Sequence, residues 1–316
     1  MAESESNIDV PLRIAESVAR QDTSQASLYR ARARYLTPTN SFREKLPPVP
    51  AITFTAERDR AFAAGAPSSA IPLDISDQLA ASVPATTPLL LARYLRLRQG
   101  DALPLRLRAT AVIYYVIYGT GESSHGRDRL AWSTGDVFRM PGGDTVHRAD
   151  RDAVLWAVSN EPEVAFHKLQ VPDDDAASLA IVHFPAAEIR QHLDEVRARP
   201  AQQDGSGKVV VFATSEYEKM LSLTPSMTLA LNSMEPGQAQ RAHRHNSAAV
   251  TLVIAGQHCS STINGDKVAW QPYATMITPA TALHSHHSEG DQLATFLIVQ
   301  DGGLFYHCRA IGFSFT

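Results

Sequence analysis

From about residue 86 onward the chain carries a β rhythm. The runs LLLARYLRLRQG, LRLRATAVIYYVIYGTG, RLAWSTGDVFRMPGG and AVLWAVSNEP are short and rich in β-branched, aromatic and leucine residues, with Gly, Pro, Asp and Asn between them. That texture predicts the antiparallel strands of a sandwich or barrel. Residues 1–35 read differently, because PLRIAESVARQDTSQASLYRARARYL is rich in helix-forming Ala, Arg, Leu and Gln. Pro38, Pro47, Pro48 and Pro50 interrupt that pattern. The expected organisation is a helical arm with an irregular segment over 1–85, a first β domain over 86–165, a connector over 166–218, and a second β domain over 219–316. The connector should hold one helix at PAAEIRQHLDEVRA, where Pro185 opens it and apolar positions recur at helical spacing.

The two β domains align with each other. Gly119 pairs with Gly256 and His147 with His284 at an offset of 137; Trp132 pairs with Trp270 and Pro141 with Pro279 at 138. Four landmarks within one residue of a constant spacing predict two copies of one domain.

Candidate chemistry sits in the second copy. There Gly237 is followed after five residues by His243, Arg244 and His245, and His284 comes four residues beyond Pro279. Residues i and i+2 of a strand share a face, so His243 and His245 should point together into a barrel, with Arg244 on the other side. His284 would close a third corner. Three neutral imidazoles suit Fe(II), Mn(II), Ni(II) or Zn(II). An H-x-H pair alone is as often two polar residues at a strand end; the flanking Gly, Pro and His and the repeat favour a metal site. His286 and His287 read as rim residues, either of which could replace His284, and His258 and His307 as structural or surface groups. Counting back from Gly119 as from Gly256 puts Arg106 and Arg108 where the second copy has its histidines. Arginine offers no lone pair, so the first copy should be free of metal, giving one metal per chain. Two arginines inside a barrel are costly unless paired. Asp144 is a possible partner, an anion another, and a register that turns both outward a third.

The G-x5-H-x-H stretch, matched to the residue, and the later Pro-then-His resemble the two motifs of the cupin family. The resemblance covers roughly 86–165 and 219–316 and implies an all-β chain of two tandem cupin (double-stranded β-helix, jelly-roll) barrels with minor helices and an N-terminal helical arm. The family's usual Glu after the second His is missing, since Ala249 and Val250 occupy its places. A three-histidine site in a bicupin is similar to that of the gentisate 1,2-dioxygenase group. That likeness implies an Fe(II)-dependent extradiol-type dioxygenase, acting with O2 on a hydroxylated aromatic ring of gentisate, salicylate or hydroquinone type. It implies His243, His245 and His284 as metal ligands and His286 as a catalytic, substrate-adjacent residue. Ser247 and Thr251 stand at substrate-side positions where that group carries Gln and Arg, so a substrate carboxylate would have to be held elsewhere. In most of that group the active copy is the first; here it is the second.

Composition narrows the remaining classes. The chain has 316 residues, 44% of them hydrophobic, and a net charge of -4. No basic run points to nucleic acid or an anionic membrane, and no apolar stretch reaches the ~18 residues of a membrane span. The polar, acidic opening MAESESNIDV and only two cysteines, Cys259 and Cys308, lead us to expect a cytoplasmic protein. By the same resemblance a homo-oligomer, dimer or tetramer, is expected. Two other functions stay open: a cupin isomerase, lyase or decarboxylase using Zn, Mn or Ni, and a non-catalytic small-molecule binder.

Overall fold

A computed structural model describes residues 25–39, 46–171, 179–200, 208–310 and 312–315. The chain forms two compact units, Met1–Lys45 and Leu46–Thr316. In the first, the described residues form helix α1 (Gln25–Arg32), which has no buried residue. The second unit holds the β structure.

The first barrel is built mainly from two very long strands, β4 (Ala102–His125) and β6 (Val137–Ser159), which pair along most of their length with several register shifts. Strands β2 (Ser69–Pro72), β3 (Leu91–Leu97) and β5 (Asp128–Ser133) complete a sheet in the order β2-β3-β6-β4-β5, and β7 (Val182–Phe184) adds to β6. The second barrel has two sheets. One runs β1-β14-β11-β16-β9-β8 and the other β13-β12-β15-β10-β17. Their strands are β1 (Thr53–Phe54), β8 (Lys208–Phe212), β9 (Thr228–Met234), β10 (His243–His245), β11 (Ala249–Ala255), β12 (Cys259–Ile263), β13 (Asp266–Ala269), β14 (Thr275–Thr278), β15 (His284–Ser288), β16 (Ala294–Gln300) and β17 (Phe313–Phe315).

Residues 46–85 carry more structure than their prolines suggest. β1 lies on β14 of the second barrel, and β2 on β3 of the first. Between them helix α2 (Ala56–Phe62) packs Phe62 at a tilt against Tyr118 of one barrel and stacks it on Tyr273 of the other. The segment therefore straps both barrels. Helix α4 (Glu161–Phe166) closes the first β domain, and the connector supplies α5 (Ala186–Ala198) over the PAAEIRQHLDEVRA stretch. The short helices α3 (Ser76–Leu79) and α6 (Gly303–His307) complete the unit.

Strand alternation separates three cores. In β11, Val250 and Leu252 face the first barrel, and they join a cluster with Leu229, Ile277 and Leu297 on one side and Tyr94, Ile113 and Trp156 on the other. The next residue, Val253, turns inward with Met276, Phe296 and Trp270 to fill the second barrel. Leu95, Val116, Trp132, Phe138 and Met140 fill the first. Both cysteines are free, Cys259 buried and Cys308 exposed. No helix among the described residues is long and apolar enough to cross a membrane.

Candidate metal centre

β10 brings His243 and His245 to one face, with exposed Arg244 on the other, as the two-residue period requires. Arg244 donates to the carbonyl of Thr281, and Thr281 N–H donates to the carbonyl of His245. These bonds tie the turn before β15 to β10. That turn needs Thr281 at φ 65°, a costly conformation for a β-branched residue. It sets His284 directly opposite His243 in the β10–β15 register. Among the described residues, His243, His245 and His284 are the group able to hold a metal ion, with one ligand atom from each lying within 4.8 Å of the others. Ring centroids are 4.2 Å apart for His243–His284 and 4.7 Å for His245–His284.

The hydrogen bonds fix which nitrogen is available. His243 Nδ1 lies 2.9 Å from the carbonyl of Arg241, His245 Nδ1 2.7 Å from that of Ser247, and His284 Nδ1 2.9 Å from that of Ala282. A carbonyl oxygen only accepts, so each Nδ1 carries the proton and each Nε2 presents a lone pair. Burial holds all three rings neutral: it lowers the pKa of His245 to about 4 and of His284 to about 3, and it also depresses that of His243. Three neutral nitrogen donors with locked tautomers form a donor set that fits a borderline divalent cation. Beside it, the amide of Gln300 donates to His245 Nε2 at 3.1 Å. Phe313 of β17 stacks on His243 at 5.0 Å.

The other expected residues fall into distinct places. His286 is buried on the same face as His284, 5.7 Å away between ring centroids. Trp270 Nε1 donates to Ser261 Oγ at 2.8 Å, and Ser261 Oγ lies 2.8 Å from His286 Nδ1. With the hydroxyl proton directed to Nδ1, the ring proton of neutral His286 sits on Nε2. His287 faces the other way, to Ser285 Oγ at 2.8 Å. Ser247 touches the site through His245, whose Nδ1 is 3.4 Å from its hydroxyl. Thr251 is buried on the opposite sheet, in register with Met276 and Ile298.

The first barrel requires a correction. Arg106 and Arg108 do not occupy the histidine positions. The Trp–Ser–His relay recurs there as Trp132 to Ser123 at 2.8 Å and Ser123 to His147 at 2.6 Å, so His147 matches His286 and not His284. Two residues earlier, Thr145 matches His284. It pairs with Leu105, as His284 pairs with His243. Leu105 and Leu107 thus replace the H-x-H pair, and Arg106, like Arg244, points out. The Arg106 side chain is 71% exposed, 3.7 Å from Asp144. The cause is one extra residue. Val112 and Ala249 lie opposite the residues before Pro141 and Pro279; from there back to Leu107 is one residue more than back to His245. A one-residue slip turns every side chain to the other face. Among the described residues the first barrel keeps no ligating triad, because Leu105, Leu107 and Thr145 stand in its places.

Sequence patterns gave no hint of Gln300, the last residue of β16, or of Asp301, which follows it. Buried Asp301 accepts the Ala248 N–H at 2.8 Å, and burial raises its pKa to about 7. The folded chain therefore binds a proton that the unfolded chain releases above about 3.8. Stability from this group is fully present below that value and is lost as pH rises through about 7. Asp301→Asn is expected to raise the melting temperature near pH 8 and to leave it unchanged near pH 4, read by thermal denaturation of both proteins at each pH.

No protein-family model matches the chain. A 5-nitrosalicylic acid 1,2-dioxygenase of Bradyrhizobium is 26% identical over 93 residues, 29% of this chain and 44% of the relative. A gentisate 1,2-dioxygenase of Streptomyces is 24% identical over 98 residues, 31% of this chain and 27% of the relative. The chain thus matches less than half the length of either. The crystal structure of a salicylate 1,2-dioxygenase from Pseudaminobacter salicylatoxidans superposes with a TM-score of 0.72 at 12% identity, covering 94% of this chain and 99% of that one. A cupin 2 conserved barrel domain protein from Leptotrichia buccalis gives 0.50 at 13% identity, covering 81% and 97%. With its paired barrels and three converging histidines, the chain has a two-barrel cupin fold and resembles the gentisate- and salicylate-type ring-cleaving dioxygenases.

Proposed function

We propose that the chain is an Fe(II)-dependent dioxygenase that opens a hydroxylated aromatic ring with O2, with one metal per chain held by His243, His245 and His284. The observation that carries this reading is the set of three buried, neutral Nε2 donors, with no carboxylate in the group. It stands in a cupin barrel whose relatives are named as salicylate and gentisate dioxygenases. Bound iron would supply open positions where ring oxygens and O2 meet and through which electron density passes between them. One ring C–C bond breaks, and both oxygen atoms enter the product.

The chain's own residues supply positioning. His286 Nε2–H, oriented by Ser261 and Trp270, donates to a substrate oxygen beside the metal. The Gln300 amide stands at the same edge. Thr251 offers a hydroxyl on the facing wall, and Ser247 holds His245 in its tautomer. Phe313 shields His243 from one side. Thr251 brings no cation, so salicylate-, gentisate- and hydroquinone-like rings are all in range.

The test is anaerobic loading with Fe(II) followed by oxygen uptake with salicylate, gentisate, hydroquinone and 1-hydroxy-2-naphthoate. One iron per chain and uptake with at least one of these, accompanied by loss of the aromatic absorbance, is expected. A protein that selects zinc and ignores O2 would overturn the reading in favour of a lyase, isomerase or decarboxylase.

A further inference from the structure

The first barrel has an opening of its own. A cavity of about 670 Å³ reaches it between β2, β3 and α4, with Leu91, Arg93 and Leu107 at its base. These base residues face the barrel interior. Arg93, Ala157 and Tyr114 lie in line across β3, β6 and β4, so they share a face, and Tyr114, Ala157 and Leu107 belong to the interior cluster. Leu107 holds the position that His245 holds in the metal barrel. The cavity therefore opens onto the part of this barrel where the other keeps its metal.

Its chemistry is different. No ligating triad stands at its base, only a buried guanidinium. Arg93 is 7% exposed by side chain and ion-paired to Glu161. That pair is neutral in sum. Two further cations, Arg108 and Lys168, are exposed on the cavity lining and leave it positive. Much of the rest is aliphatic, including Val83, Val164 and Leu169. The volume is that of a small-molecule pocket, for which about 300–1,000 Å³ is usual. Aliphatic walls and a lining that is net positive among the described residues together call for an apolar molecule with one negative charge.

We propose that this cavity is a second small-molecule site, which binds an amphiphilic monocarboxylate without reacting it. The apolar body lies against Val83, Leu91 and Leu107, and the carboxylate meets Arg108 and Lys168. One barrel would then hold metal and the other a carboxylic acid, so that the copy lacking a triad is a binding module. The assignment stands whether or not the metal barrel cleaves rings.

The test is calorimetric titration of the full-length His243→Ala chain with 2-naphthoate, so that the metal site does not contribute. One 2-naphthoate per chain is expected. The exposed double variant Arg108→Glu/Lys168→Glu in the same background should bind it about five- to tenfold more weakly. Neutral 2-naphthol should show no such dependence on the double variant. Ala165→Trp, on the cavity wall, should remove binding of both ligands while leaving the melting temperature unchanged. Binding of 2-naphthoate that is equal in all of these variants, or absent at millimolar concentration, would overturn the proposal. Should His243→Ala fail to fold, the wild-type chain held in chelator gives the same comparison.

Discussion

His245→Ala is expected to strip the chain of its metal and to reduce turnover by well over a hundredfold. The magnitude follows from a comparison. Losing a residue that merely orients a ligand typically costs about 10–100-fold in metal affinity or activity; removing the ligand itself must cost more. His245 is held by the shortest of the three Nδ1–H contacts, on the Ser247 carbonyl at 2.7 Å. Ser247→Ala keeps that carbonyl and should lose less than about tenfold, because only the weaker 3.4 Å hydroxyl contact disappears. Elemental analysis after dialysis, with oxygen uptake measured in parallel, checks both variants. Wild type should hold one metal per chain, since Leu105, Leu107 and Thr145 give the first barrel no nitrogen triad. A His245→Ala chain that retains iron and turnover would place the centre elsewhere.

The features legible in the sequence are those fixed by strand alternation. Two histidines at i and i+2 must share a face, and His243 and His245 do. A proline followed by a histidine marks the returning strand, and His284 stands opposite His243. The register of the degenerate copy was hidden because alignment by landmarks tolerates a one-residue insertion, whereas the pleat does not. Four shared landmarks left room for an extra residue between Leu107 and Val112, and it moved Arg106 from the inside to the outside. A finer signal was present. Ser123 and Ser261 share the offset of 138 of the two tryptophans, which leaves His147 as near to His286, at 139, as to His284, at 137. Gln300 and Asp301 carried no such mark, since a polar residue at the end of an apolar strand is ordinary in sequence. The strap formed by β1 was equally unreadable, because two residues among prolines, Thr53 and Phe54, have no periodicity.

Trp156→Ala is expected to destabilise the chain by about 3–5 kcal/mol, the usual range for removing a fully buried tryptophan. Trp156 lies on β6 but belongs to the core between the barrels, where it is completely buried. Its Nε1–H donates to Thr275 Oγ1 of the second barrel at 3.0 Å. That hydroxyl donates in turn to the phenol oxygen of Tyr94 at 2.9 Å, which donates to the carbonyl of Tyr273 at 2.5 Å. Alanine removes the indole and also the head of this chain, leaving Thr275 and Tyr94 to re-pair in a cavity. Trp156→Phe keeps most of the volume and loses only the first hydrogen bond, so about 1–2 kcal/mol is expected. The denaturant midpoint of each variant measures this, with tryptophan-independent circular dichroism as the probe. A coupled loss also has a functional consequence. Thr275 lies on β14, which pairs with β11, and β11 carries Thr251 on its inner face, in register with Met276. If the barrels are mutually supporting, Trp156→Ala should loosen the wall facing the histidines and lower metal retention at temperatures where the wild type holds it. Unchanged retention with a lowered midpoint would show instead that the metal barrel keeps its shape without its partner.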